Sequence, residues 1–208
     1  MNTRWLIMAV VTIGLIWWWN QPAGVDWDLE AAPDAPPGFD ADLSIERAPL
    51  QTTLDETPTL SAGGFRITPR AEFQIEARVL SRRDYRFDAE AALSPTDLAL
   101  GWGPMARPEV LEAFEIDQSG RFYRWHTERF PVPREAVEKS SANMHLVPAN
   151  DWIAADIDRI AEGDTVRLAG HLIDVDGENG WRWRTSLTRS DTGRGACEVL
   201  LVSRVQIR

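Results

Sequence analysis

The sequence predicts an α+β fold: a β-rich compact domain with a C-terminal three-strand meander, carried behind an N-terminal transmembrane helix. Three observations predict it. An uncharged apolar run, Trp5 to Trp19, opens the chain. Period-two alternation marks strands in "AEFQIEARVLS" and again towards the C-terminus, while "NDWIAADIDRIAEGD" between them carries a helical stripe.

The apolar run has 15 residues and spans roughly 22 Å as a helix, against a hydrocarbon core of about 30 Å. Trp17, Trp18 and Trp19 extend that reach as an interfacial aromatic belt. The "NQPAG" that follows is a poor cleavage site, which favours a retained signal-anchor over 1–19 against a cleaved peptide or a buried core helix. Arg4 precedes the run and acids follow it, so the positive-inside rule puts the rest of the chain outside the cytoplasm. The expected location is a bacterial inner membrane, crossed once, with the domain on the periplasmic side.

Residues 20–64 carry nine acids against Arg47 and are rich in Pro, Ala and Gly. Such a stretch offers little apolar surface to offset its ordering entropy and is expected as an acidic, disordered spacer. A single globular domain over 65–208 follows. Phe73, Ile75, Ala77 and Val79 alternate with polar residues as a half-buried strand. In "SPTDLALGW", Ser94 as N-cap, Pro95 and Asp97 predict a short helix, and "RPEVLEAF" predicts another. "FEIDQSGRFYRWH" reads as a hairpin turning at Ser119–Gly120. Asn150 caps the clearest helix, with Ile153, Ile157, Ile160 and Ala161 on one stripe. Strands over 165–175, 181–187 and 197–207 complete the meander, the first two joined through "DGENG".

The formal charge is −10, yet residues 65–208 contribute only −3 of it. That balance does not suggest a phosphate-binding surface, and nucleic acid is not an expected partner. Lys139 is the only lysine, a skew typical of a GC-rich bacterial genome, and the single cysteine cannot form an internal disulfide.

Cys197 is the candidate nucleophile, with His145 or His171 as base and Asp191 or Asn143 orienting it. Strand alternation places the thiol with Val199, Leu201, Ser203, Val205 and Ile207, which favours a small apolar residue on a buried face. His126, His145 and His171 are scattered and form no metal motif, so neither metal nor other cofactor is expected. Asn143 and His145 share one side of "SANMHLVPAN", and with Arg189 and Asp191 of "RSDTGRGA" they are the candidate binding residues. That loop could cradle an anion but lacks the Gly-Lys-Ser/Thr ending of a nucleotide loop. Trp181 and Trp183 share a strand face with Leu187, which favours core over an exposed platform.

The His-then-Cys order behind an anchor resembles sortase-type transpeptidases. In those the cysteine ends a Thr-Leu-x-Thr-Cys stretch; here "GRGAC" stands in that place, and strand alternation turns Arg204 to the opposite face from Cys197. "DLALGWGPM", "SANMHLVPAN" and "WRWRTSLTRSDTGRGACEV" together resemble a group of uncharacterised bacterial membrane-anchored proteins over most of 65–208. That resemblance implies a common site on these segments and no particular activity. The expected function is a membrane-anchored envelope protein for binding or assembly, not an enzyme, whose partner is an envelope protein or peptide. The alternative is a cysteine-dependent acyl transferase or peptidase acting on envelope peptides.

Overall fold

The computed structural model describes residues 38–55, 57–88, 90–188 and 197–208. The expected anchor over 1–19, with Arg189 and Asp191, lies outside the described residues. Among the described residues no helix is long and apolar enough to cross a membrane.

The domain is β-rich and built on one large sheet. Its strands are β1 (Leu50–Thr53), β2 (Leu60–Ala62), β3 (Phe65–Asp84), β4 (Thr96–Gly101), β7 (Ser141–Pro148), β8 (Thr165–Asp176), β9 (Arg182–Trp183) and β10 (Glu198–Ile207). A separate hairpin pairs β5 (Glu115–Ser119) with β6 (Phe122–His126). Three short helices are α1 (Pro108–Leu111), α2 (Arg134–Lys139) and α3 (Asp151–Asp158).

Five strands close on themselves. Following the pairings from β3 to β4, β7, β10 and β8 leads back to β3. β3 makes this possible by its length: its first part pairs with β8, and from Arg78 onward it pairs with β4. β-bulges near Arg70 and Leu80 bend it between its partners. The ring's interior is filled by Phe73, Ile75, Leu98, Leu100, Met144, Leu146, Leu168, Leu172, Leu200 and Val202, all fully buried. α3 covers one open end, setting Ile157 and Ile160 into the same core. Its cap is the expected one, Asn150 accepting from Ile153 N at 2.9 Å. At its other end the Arg82 guanidinium donates to the carbonyls of Ile157 and Ile160 at 2.7 and 2.8 Å, satisfying acceptors that the helix leaves open.

A second apolar layer lies on the outside of the wall, where Leu60, Ile67, Leu93, Val147, Ile173, Val175, Val199 and Leu201 pack together. The wall is thus apolar on both faces, which overturns several expectations. The segment from Ser94 is strand, not helix: β4 pairs on both sides and every residue of it is buried, so tertiary pairing outweighs the local cap signal. The meander is absent because β8 is long enough to carry β9 and β10 in tandem along one edge while β3 takes the other. The spacer expected over 20–64 is folded in its C-terminal half. β1 and β2 both pair with β3, and Leu43 and Leu60 are buried. The acidic, Pro-rich average over that stretch conceals these well-spaced leucines.

A bulge between Val202 and Arg204 changes the face assignment along β10. Leu200 and Val202 point inward before it, Val205 and Ile207 after it. Cys197 therefore shares its outward parity with Val199, Leu201 and, beyond the bulge, Arg204. The single-face run expected from Cys197 to Ile207 is broken there, and Arg204 is not turned away from the cysteine's face. Beside the bulge, Gly170 lies so close to β10 that a Cβ would sit 1.9 Å from the Leu201 carbonyl oxygen. Gly170→Ala is expected to cost about 3 kcal/mol by overpacking, read as a lower urea midpoint at unchanged slope.

Candidate functional site

The outward faces of β4, β7 and β10 carry the sequence's candidates side by side. Asp97 pairs directly with His145, and His145 with Val199. Two residues back along both parallel strands, Cys197 comes alongside Asn143. Two of the segments that carry the resemblance described above supply most of β4 and all of β7, and the third contains β9 and runs into the start of β10. Over them sits the tip of the β5–β6 hairpin.

That tip is Gly120–Arg121, one residue later than expected, since Ser119 pairs with Phe122. Both turn residues have positive φ, 57° and 67°, and Arg121 is the only non-glycine residue to do so among those described. Such a two-residue turn normally ends in Gly or Asn, and a left-handed arginine costs about 1 kcal/mol. Its side chain explains the choice. Arg121 Nε and Nη2 donate to the two oxygens of Asp88 at 2.8 and 2.7 Å. Nη1 donates to the Ser94 carbonyl and to Asp97 Oδ1, both at 2.8 Å. The guanidinium lies 3.8 Å from the Tyr85 ring centroid and 5.8 Å from that of Trp183. Its main chain is held as well: the amide donates to the Tyr85 hydroxyl at 3.1 Å, and the carbonyl accepts from Asn143 Nδ2 at 3.3 Å. Burial works against the charge of Arg121, but the carboxylates of Asp88 and Asp97 more than restore it and raise its pKa.

Asp97 has no exposed surface. Its Oδ1 lies 2.9 Å from His145 Nδ1, though the angle is not that of a straight N–H···O bond, and neither Nδ1 nor Asp97 Oδ2 completes a hydrogen bond among the described residues. Ser94 Oγ and Gln118 Oε1 are also buried without a hydrogen-bond partner among the described residues. Gln118 spends its amide on Asn143 Oδ1 at 2.6 Å. The His145 ring packs tilted against Trp183, with centroids 4.6 Å apart. Trp181 meets Phe65 edge-on, and both tryptophans, half-buried, flank the outer apolar layer.

Cys197 is half-buried. Its Sγ lies 3.9 Å from the Arg121 carbonyl oxygen and 4.0 Å from Asn143 Nδ2. His145 meanwhile turns Nδ1 to Asp97. His171 sits on β8, paired with Leu201 and Glu72. Burial lowers its pKa, with Glu72 pulling the other way. The structure therefore brings Asn143, His145 and Cys197 together. It adds Asp97 and Arg121, which the sequence reading did not assign to the site. No group of three His, Cys, Asp or Glu side chains among the described residues could hold a metal ion.

No known protein family, curated protein or solved structure matches the chain. What the site does must be argued from its own chemistry.

Tyr123 reports whether the hairpin is docked. Its phenol is pushed up to about 12, chiefly by burial, with the neighbouring Ser141 hydroxyl pulling the other way. An unfolded phenol ionises near pH 10. The stability linked to this group is therefore whole below pH 10 and lost as pH rises through 12. Urea titrations are expected to show the wild type losing roughly 2 kcal/mol more than Tyr123→Phe across that window. Parallel pH profiles would mean that the phenol is not buried in solution. Asp97→Ala, which leaves Arg121 half-paired, is expected to cost about 3 kcal/mol in the same assay at pH 7.

Proposed function

We propose that the chain is a membrane-tethered binding or assembly module of the bacterial envelope, its domain on the periplasmic side and its partner an envelope protein or peptide. The apolar run Trp5–Trp19, with Arg4 before it and acids after it, supports the tether and its orientation. The observation that carries the binding reading is the seating of Arg121. It takes Asp97 Oδ1, the same oxygen that faces His145 Nδ1 and would otherwise orient that imidazole. Two exposed aromatics flank its anchor points in sequence: Phe87, fully exposed, beside Asp88, and Phe122, 36% exposed, beside Arg121. Exposed aromatics are common anchors of a binding surface. Photocrosslinkers placed next to Phe87 and Phe122 in the membrane-embedded chain are expected to trap one partner in cells. The Phe87→Ser/Phe122→Ser pair should abolish that adduct at unchanged thermal midpoint. An adduct indifferent to both substitutions would sink the proposal.

A second reading is favoured by one specific placement: Asp97, His145 and Cys197 lie outward on the consecutive strands β4, β7 and β10. In it Cys197 attacks an acyl carbonyl, His145 takes the thiol proton and delivers it to the leaving group, and Asp97, rather than Asp191, orients the imidazole. Under the binding reading, iodoacetamide labels native Cys197 slowly, with an ordinary thiol midpoint of about 8.5. Fast labelling with a midpoint below 7, lost in Asp97→Asn, selects acyl transfer instead.

A further inference from the structure

We propose that Tyr85, Asp88, Ser94, Asp97 and Trp183 form a guanidinium-binding site, that Arg121 fills it as an internal ligand, and that an arginine side chain of a basic partner exchanges with it. The inference rests on the binding reading above and names the chemical class of what is bound.

The shape of the site is specific. Asp88 meets the guanidinium edge with both oxygens, at 2.7 and 2.8 Å. The Ser94 carbonyl and Asp97 Oδ1 take the two protons of Nη1. Tyr85 covers one face of the plane at 3.8 Å, with Trp183 farther off at 5.8 Å. A planar fork with five donors satisfies this set, whereas a lysine ammonium with three diverging donors does not. Two carboxylates face one cation, and Asp97 Oδ2 and Ser94 Oγ are buried acceptors with no partner among the described residues. The site therefore has more acceptor capacity than Arg121 uses.

The internal ligand is also imperfectly bound. Arg121 reaches the site only by taking a left-handed backbone conformation, φ 67°, which a β-substituted residue adopts with strain. An arginine arriving on another chain carries no such constraint. The hairpin that holds Arg121 forms a sheet of its own and shares no ladder with the barrel among the described residues, so its tip can leave without opening the ring. The paired carboxylates of Asp88 and Asp97 set the local preference for a cation.

Chemical rescue tests the site. In the full chain, Arg121→Gly removes the guanidinium and keeps a residue that favours the left-handed turn. Its thermal midpoint is expected to fall and to be restored saturably by methylguanidinium, half-maximally on the order of 1 mM. Tetramethylammonium at equal ionic strength should do nothing, and Arg121→Gly/Asp97→Asn should lose the response. If Arg121→Gly does not fold alone, its refolding yield in the two salts replaces the midpoint. No selective effect of methylguanidinium in either assay overturns the site.

Exchange is tested in the wild type through Cys197, whose thiol lies against the Arg121 carbonyl. Triarginine is expected to speed its alkylation severalfold over trilysine, and equal rates overturn exchange. Either failure leaves the crosslinking result at Phe87 and Phe122 standing, so the two readings fail separately.

Discussion

A carboxylate with no exposed surface, Asp97, sits on the outward face of the barrel wall, and the rest of the site is arranged around that fact. An unpaired charge at such a depth would cost several kcal/mol, so Asp97 requires a cation, and Arg121 supplies it. From that single pairing follow the docking of the β5–β6 hairpin, the left-handed turn at its tip and the course of the 85–95 segment. That segment brings Tyr85, Asp88 and the Ser94 carbonyl to the same guanidinium. Asn143 and Cys197 are drawn in as well, since both meet the Arg121 main chain. His145, Asp97's other neighbour, is wedged between that carboxylate and the Trp183 ring.

The barrel makes this arrangement possible by burying both faces of its wall. Inward residues of β4, β7 and β10 build the main core, and their outward neighbours Val147, Val199 and Leu201 build a second one. A polar cluster on an outward face would ordinarily be solvated. Here it continues an apolar layer, so its charges must be matched within the protein. Glu76 shows the same rule elsewhere on the wall: nearly buried on β3, it is paired with Arg167 at 2.8 Å and Arg208 at 3.2 Å.

Elements with a strong local period were legible in the sequence: the alternation of β3, the capped stripe of α3, the long apolar run of β8 and the hairpin. What was lost depended on partners far along the chain. "SPTDLALG" carries a genuine helix-start pattern, and only its pairing with β3 on one side and β7 on the other makes it a strand. The bulge at Ser203 leaves no mark in composition, yet it reverses the parity on which the face of β10 was assigned. Half of the site was visible, because Asn143 and His145 share one strand at a spacing of two. Asp97 and Arg121 were not, though each broke a local rule: an acid inside a run buried throughout, and an arginine at a turn position that favours Gly or Asn. Two such violations in one domain, of opposite charge, are a signal worth pairing.

The ring closure has a consequence for how the chain comes to be folded. The seam joins Arg66 to Asp176 and Arg78 to Thr165, so the first long strand waits for a partner near the other end of the domain. β10, the last strand, then completes the wall by inserting between β7 and β8. Closing loops of that length is entropically slow and leaves strand edges unpaired meanwhile. A chain emerging in order from its N-terminus can pair β3 with β1, β2 and β4 early, but leaves the edge of Arg66–Arg78 open until β8 has been made. The domain can become resistant to aggregation and proteolysis only at the very end.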